Sequence, residues 1–253
     1  MNDRFIEEVE QKVCAPIEAE RLRFRSSEKL LRRFRNTAER LLTRGLDSLN
    51  QFNEHYNELL VAYRILFADD ACASLEYEPP LPGSNQRMDF HLTLNNGRLV
   101  LIEVKTIRPV IQDDWPKFER AVMPANGLFL ISEDWLGGIL WHNKCAARSS
   151  MLRYSLELEQ KIQGCEINRE NPIVVLAFWS NGFSWRAREL QEFATFYKTG
   201  QHRQDDFLRE MEAHYIETKK ISLNRSIDYF WYFSRSDSNV FPDEVGWIRP
   251  ELF

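Results

Sequence analysis

The 253-residue sequence predicts an α/β fold, a mixed β-sheet flanked by helices. Three observations carry that expectation. Residues 88–105 alternate apolar and polar side chains on either side of Asn95-Asn96-Gly97, as a half-buried hairpin does. "PIVVLAFW", Pro172 to Trp179, is a continuous apolar run of the kind found in strands buried on both faces. Around these segments lie stretches whose apolar residues recur at helical spacing.

Taken in order, residues 3–44 read as helical with a break at Pro16. Leu22, Leu30, Leu31, Phe34, Leu41 and Leu42 fall where a helix gathers them on one side, and Gly45 is a plausible stop. A second helix is expected from Leu49 to Phe67, with Phe52, Tyr56, Leu59, Tyr63 and Leu66 as its apolar stripe. Cys72–Glu78 can form a first strand, closed by the Pro- and Gly-rich "PPLPGS". The hairpin follows. After it, residues 107–127 hold three prolines and read as an irregular insertion with one short helix, and "LFLIS" reads as a short strand. "EDWLGGILWHN" reads as a structured loop. A helix spans about Lys144 to Gln163, then the buried strand, then a long helical stretch from Arg186 to Lys220 with a break at Gly200. Ser226–Arg235 reads as a late strand. The resulting organisation is a basic helical N-terminal arm (1–48), a core (49–180) and a C-terminal helical extension packed on it (181–253).

The register of the hairpin can be derived. Opposite residues in an antiparallel pair share a face, so the apolar faces match only if paired numbers sum to an even value. A two-residue turn at Asn96-Gly97 would set Phe90 against Glu103. A three-residue loop with Gly97 in the left-handed conformation sets Phe90 against Ile102, Leu92 against Val100, and Asp89 against Glu103. The apolar core therefore favours the register that places two carboxylates side by side, with Lys105 projecting from the same face.

Two opposed carboxylates repel on a plain sheet face. A divalent cation reverses the sign of that interaction, and hard oxygen ligands select Mg²⁺ or Mn²⁺. An exposed cross-strand ion-pair cluster is the alternative reading. The order helix, strand, strand, strand, helix, strand from residue 49 resembles the PD-(D/E)XK nuclease superfamily, the restriction-endonuclease-like fold. The resemblance covers about Leu49 to Trp179. It matches Asp89 to the family's metal-binding Asp and "EVK", Glu103-Val104-Lys105, to its acidic-x-Lys triplet. It matches Glu58 to a helix carboxylate that supports the metal, with Glu54 as the competitor. Met88 stands where the family's name-giving Pro would be, and the insertion after Lys105 is a second departure. Three further acidic-x-Lys triplets occur, at Glu10-Gln11-Lys12, Glu159-Gln160-Lys161 and Glu217-Thr218-Lys219, all in helical-looking segments.

The resemblance implies a Mg²⁺- or Mn²⁺-dependent nuclease that hydrolyses DNA. Asp89, Glu103 and Glu58 would hold the metal, and Lys105 would orient or activate water. A catalytically inactive binding or assembly module and a nuclease acting on RNA are the alternatives. His91 beside Asp89 is either a general base or an ordinary surface histidine. His142, Lys144 and Arg148 are candidate phosphate contacts on the second core helix. The tryptophans, among them Trp115, Trp135 and Trp141, read as core or loop anchors rather than base-stacking platforms.

The net charge is −5, but residues 21–44 carry nine basic and two acidic residues, leaving −12 elsewhere. That segment is either a backbone-gripping arm or a solvated helix whose arginines pair with acidic neighbours. No run is long and apolar enough to span a bilayer, and no signal-peptide pattern opens the chain. Cys14, Cys72, Cys145 and Cys165 show no CxxC or zinc-finger spacing, so a reducing, cytoplasmic setting is expected. A homodimer or a protein partner in a larger assembly is a further expectation.

Overall fold

The computed structural model describes residues 3–68, 71–107, 133–163, 165, 172–180, 185–200, 207–219, 222–235 and 239–249. The chain is α/β, with a seven-stranded mixed sheet flanked by helices on both faces. The strands are β1 (Phe24–Arg25), β2 (Cys72–Tyr77), β3 (Phe90–Leu94), β4 (Leu99–Ile107), β5 (Ile173–Ser180), β6 (Tyr229–Ser234) and β7 (Glu244–Ile248). They lie in sequence order across the sheet. β2, β3 and β4 are antiparallel, β4, β5 and β6 are parallel, and β7 returns antiparallel.

The helices are α1 (Asp3–Val9), α2 (Ala15–Ala19), α3 (Ser27–Arg44), α4 (Leu49–Ala68), α5 (Glu133–Gln163), α6 (Ala187–Thr199) and α7 (Phe207–Lys219). α1 to α4 cover one face of the sheet, burying Val9, Phe34, Phe52, Tyr56 and Leu59 against Phe90, Ile102, Val175 and Trp231. α5 to α7 cover the other, where Met151, Leu158, Phe193 and Leu208 meet Leu101, Leu176, Phe178 and Phe230. The parallel strands explain this double cover, because each crossover lays a helix on a face. None of the described helices is long and apolar enough to cross a membrane. Cys14, Cys72 and Cys165 are free thiols.

The hairpin adopts the register derived from its apolar face. Phe90 pairs with Ile102 and Leu92 with Val100. Asn95–Gly97 forms the loop, with Gly97 at φ +81° and Leu94 N–H donating to Arg98 O at 2.9 Å. A side chain at Gly97 would be strained in that conformation.

Several expectations differ from the structure. Pro16 does not break the helix. It sits in the first turn of α2, and a π-helical turn at Glu10–Cys14 just upstream accommodates the ring and its missing N–H. The interruption falls instead after Ala19, where the chain turns to add β1 to the sheet beside β2. The segment before α4 thus contributes α1, α2, α3 and β1 to the layer packed on one face of the sheet. Leu22 and Leu42, expected on the apolar stripe, are exposed: Leu22 lies in the turn before β1, and Leu42 lies off the α3 stripe set by Leu30, Leu31, Phe34 and Leu41. Residues 133–143, expected as a loop, continue α5 toward its N-terminus, since the two glycines there cost a helix only about 1 kcal/mol each. The late strand expected at Ser226–Arg235 forms β6, and β7, which was not expected, pairs with it at the sheet edge. The expected insertion at 107–127, past Ile107 at the end of β4, and the short strand after it lie outside the described residues.

One buried carboxylate locks the second helical layer. Glu159 of α5 accepts the Tyr197 hydroxyl of α6, the Asn224 N–H at 2.6 Å and the Ser226 N–H at 2.9 Å. Those two amides flank Arg225, which holds a left-handed φ of +57°. Successive N–H groups around such a residue form a concave anion nest, and Glu159 fills it. Glu159→Ala leaves three donors without their acceptor and is expected to lower stability by about 2–4 kcal/mol in urea unfolding. Glu159→Gln keeps an acceptor oxygen and should cost less. Equal, negligible losses would refute the role.

Candidate functional site

Glu103 stands on β4 between β3 and β5, under α5, and is 5% exposed. A carboxylate so enclosed needs partners. It has two: Lys105 Nζ lies 2.8 Å from Oε1, and Lys161 Nζ of α5 lies 2.6 Å from Oε2. Lys105 also lies over the ring of Tyr154, 5.8 Å from its centre. Burial alone would push the Lys105 ammonium toward neutrality, but the charges of Glu103 and Asp89 together hold its pKa above the ordinary lysine value.

Asp89 immediately precedes β3. Its Oδ2 accepts the Val104 N–H at 2.7 Å, so this side chain pairs a β4 amide beyond the last main-chain pair of the hairpin. Its own carbonyl accepts the Glu78 N–H at 2.9 Å, which ties it to the end of β2. Burial raises the Asp89 carboxyl to about 7, and the neighbouring Glu103 charge adds to it; Lys105, the Val104 N–H and Lys161 oppose the shift.

Glu58 reaches the same region from α4 on the opposite face of the sheet. It accepts the Tyr77 hydroxyl at 2.6 Å, and Tyr77 accepts Arg33 of α3 at 2.9 Å. Burial raises its carboxyl to about 8, with the Asp89 charge next in size; the Tyr77 hydrogen bond and Arg33 offset part of this. Glu54, its competitor, is exposed. The structure therefore brings Glu58, Asp89, Glu103 and Lys105 into one electrostatic unit. Among the described residues, however, no three His, Cys, Asp or Glu side chains are gathered closely enough to form a ready metal-ligand group. The physical reason is visible at Glu103, whose two oxygens are each held by an ammonium.

The donor chemistry nevertheless suits a hard cation. Oδ1 of Asp89 and Oε1 of Glu58 accept no hydrogen bond from the described residues. Both carboxyls are pushed up by burial and by neighbouring negative charge, the condition that a divalent ion relieves.

Lys161 is the residue that sequence reasoning missed, since it belongs to a triplet set aside as helical. Its signal was position on α5. Ala147, Met151, Tyr154, Leu158 and Lys161 follow helical spacing, and the first, second and fourth are buried against the sheet. A lysine at the end of such a stripe must find an acid. The neighbouring stripe, Arg148, Leu152, Ser155 and Glu159, is buried as well.

Other candidates fall elsewhere. Arg148 is buried in an ion pair with Glu192 of α6 and is not presented to a phosphate. The side chains of Trp135, Trp141, His142 and Lys144, and the whole of Trp115, lie outside the described residues. His91 is half-buried and not an ordinary surface histidine. Burial lowers its pKa to about 4, leaving the ring neutral at pH 7, and its Nε2 has no hydrogen-bond partner among the described residues. In the basic segment, Lys29 and Arg33 pair with Glu78, Arg21 with Glu18 and Glu28, Arg23 with Glu20, and Arg35 with Glu10 and Glu18. The solvated, internally paired helix describes these five cations better than a backbone grip.

Compared with known proteins, the chain matches no family model, no curated protein and no solved structure.

The raised carboxyls have a stability consequence. The folded chain holds the Glu58 and Asp89 protons more tightly than the unfolded chain, whose carboxyls titrate near their ordinary 4.5 and 3.8. That contribution is complete below about pH 4 and is lost as pH rises through about 7 to 8. In the presence of a chelator, the melting temperature should fall between pH 5 and pH 9. Glu58→Gln, which carries no charge, should flatten that fall and raise the melting temperature at pH 9. A slope unaltered by the substitution would contradict the assignment.

Proposed function

We propose that this chain is a metal-dependent phosphodiesterase of the PD-(D/E)XK type, a nuclease built on a restriction-endonuclease-like core and acting on DNA. The observation that carries the reading is the convergence at the end of the hairpin. Asp89 accepts the Val104 N–H, beside Glu103 and Lys105 on β4, and Glu103 is enclosed beneath α5. Asp89 and Glu103 would hold Mg²⁺ or Mn²⁺, with Glu58 behind them. A bound divalent ion supplies Lewis-acid polarisation of a phosphoryl oxygen and a more acidic water.

The chain's own residues account for the rest. Lys105, cationic through its pairing with Glu103, presents a proton donor and a positive charge at the mouth of the site. There it orients the attacking water and offsets charge that develops on the phosphoryl oxygens. The Val104 N–H holds Asp89 in place by one oxygen and leaves the other for the ion. Tyr77, steadied by Arg33, does the same for Glu58. The sheet hydrogen bonds of β3 and β4 fix these side chains on rigid elements, as precise positioning requires.

A second reading, a nuclease-like module without catalysis, is favoured by one observation. Lys105 and Lys161 saturate both oxygens of Glu103, so the charge of that residue is already balanced. Cleavage assays with Mg²⁺ on linear, circular and single-stranded DNA separate the two. Wild-type protein should cut. Asp89→Ala and Lys105→Ala should each reduce the rate by about 100-fold or more while melting stays cooperative. Unchanged cleavage by both variants removes this mechanism, and absence of cleavage by the wild type with absence of Mn²⁺ binding favours the inactive module.

A further inference from the structure

The ion pair between Glu103 and Lys161 has a consequence for the site that the catalytic residues alone do not supply. Lys161 is on α5, 58 positions away in sequence, and its ammonium sits 2.6 Å from Oε2 of a carboxylate that is nearly inaccessible to solvent. Its side chain is 16% exposed, and Glu103 is its carboxylate partner. The placement is enforced from two sides. The apolar stripe of Ala147, Met151 and Leu158 seats α5 on the sheet, and Glu159, two residues before Lys161 and so on another side of the helix, anchors α5 to Tyr197 and to the turn around Arg225.

A charge count shows what this does. Glu58, Asp89 and Glu103 bring three negative charges when ionised, and Lys105 and Lys161 bring two positive ones. The remaining −1 suits one divalent cation. A second would leave a strongly positive, enclosed cluster before any phosphate arrived.

Resting on the nuclease reading above, we propose that Lys161 is a tethered counter-cation that competes with divalent metal for Glu103 and limits the site to one ion. It holds Oε2 of Glu103, an oxygen that a metal ligated by this carboxylate through both oxygens, or a second metal, would have to win from it. The stem of Lys161 is long and flexible, and the residue lies in the last turn of α5, where unsatisfied carbonyls attract an ammonium. When an incoming ion draws on Glu103, the ammonium has that second resting place close by. Its charge then remains in the pocket, available to a phosphodiester.

The experiment is a calorimetric titration of the full chain with Mn²⁺, with bound Mn²⁺ counted by electron paramagnetic resonance. Wild type, Lys161→Met and Lys161→Arg are compared after thermal melting has established that each folds. Wild type should bind one ion. Lys161→Met should bind a second ion, or bind the first roughly tenfold more tightly, having lost one opposing charge. Lys161→Arg keeps the charge and should behave as wild type. If Lys161→Met destabilises the fold, Lys161→Gln takes its place, retaining much of the stem without the charge. A Lys161→Met isotherm identical to or weaker than wild type overturns the counter-cation role and leaves the nuclease reading standing. Two ions on the wild type do the same. Binding by Lys161→Met alone supports the competition and shows the resting protein to be blocked. No binding by any of the three chains defeats the metal reading itself, and this inference with it.

Discussion

A carboxylate cannot be enclosed in a protein without partners for its oxygens and its charge, and Glu103 is enclosed. The penalty for desolvating an ionised carboxylate is several kcal/mol even after relaxation. Its position on β4, among the inner strands of the sheet and beneath α5, is tolerable because Lys105 comes from the same strand and Lys161 from the helix above. Much of the surrounding architecture follows from this requirement. α5 must be seated at one rotation about its axis, and its two buried stripes and the Glu159 anchor provide that seat.

The same requirement explains the unequal treatment of the three acids. Glu103 is neutralised by ammonium groups, whereas Asp89 and Glu58 are met mainly by neutral donors, an amide N–H and a tyrosine hydroxyl. Neutral donors satisfy hydrogen bonding without cancelling charge. The two carboxyls therefore retain protons into the neutral range, and negative charge develops on them only as they ionise above it. Under the proposed reading, a cation would take the place of those protons. The polarity is arranged across the sheet, with Glu58 supplied by the α1–α4 layer and Lys161 by the α5–α7 layer, so that both layers contribute to one end of the β3–β4 hairpin.

The basic segment illustrates how composition and structure part company. Nine basic residues in 24 positions suggest a surface built for phosphates. Five of them instead meet acids of the π-helical turn, α2, α3 or the segments flanking α2 and β2. Lys29 and Arg33 converge on Glu78, and Arg33 also reaches Tyr77, so part of the segment supports the candidate site from behind. Local charge density in a sequence is not surface charge when the acidic partners arrive from other elements.

Short-range pattern alone determined a good part of this protein. Alternation in residues 88–105 set the hairpin, its three-residue loop and the pairing of Phe90 with Ile102, because a slip of one residue would turn every apolar side chain outward. The apolar run after Pro172 became β5, and the stripe of Leu49–Ala68 became α4. Past the last main-chain pair, the Asp89 side chain takes the Val104 N–H and so comes beside Glu103 and Lys105. Tertiary structure decided the remainder. That Glu58 and not Glu54 faces the acids depends on how α4 lies across the sheet. That β4 is buried on both faces depends on α5 covering what alternation marks as a polar side. Lys161 reached Glu103 through a crossover and a helix of 31 residues, a contact no local window contains. Periodicity reports which face of an element is apolar, whereas the partner of a buried charge is chosen by packing between elements distant in sequence.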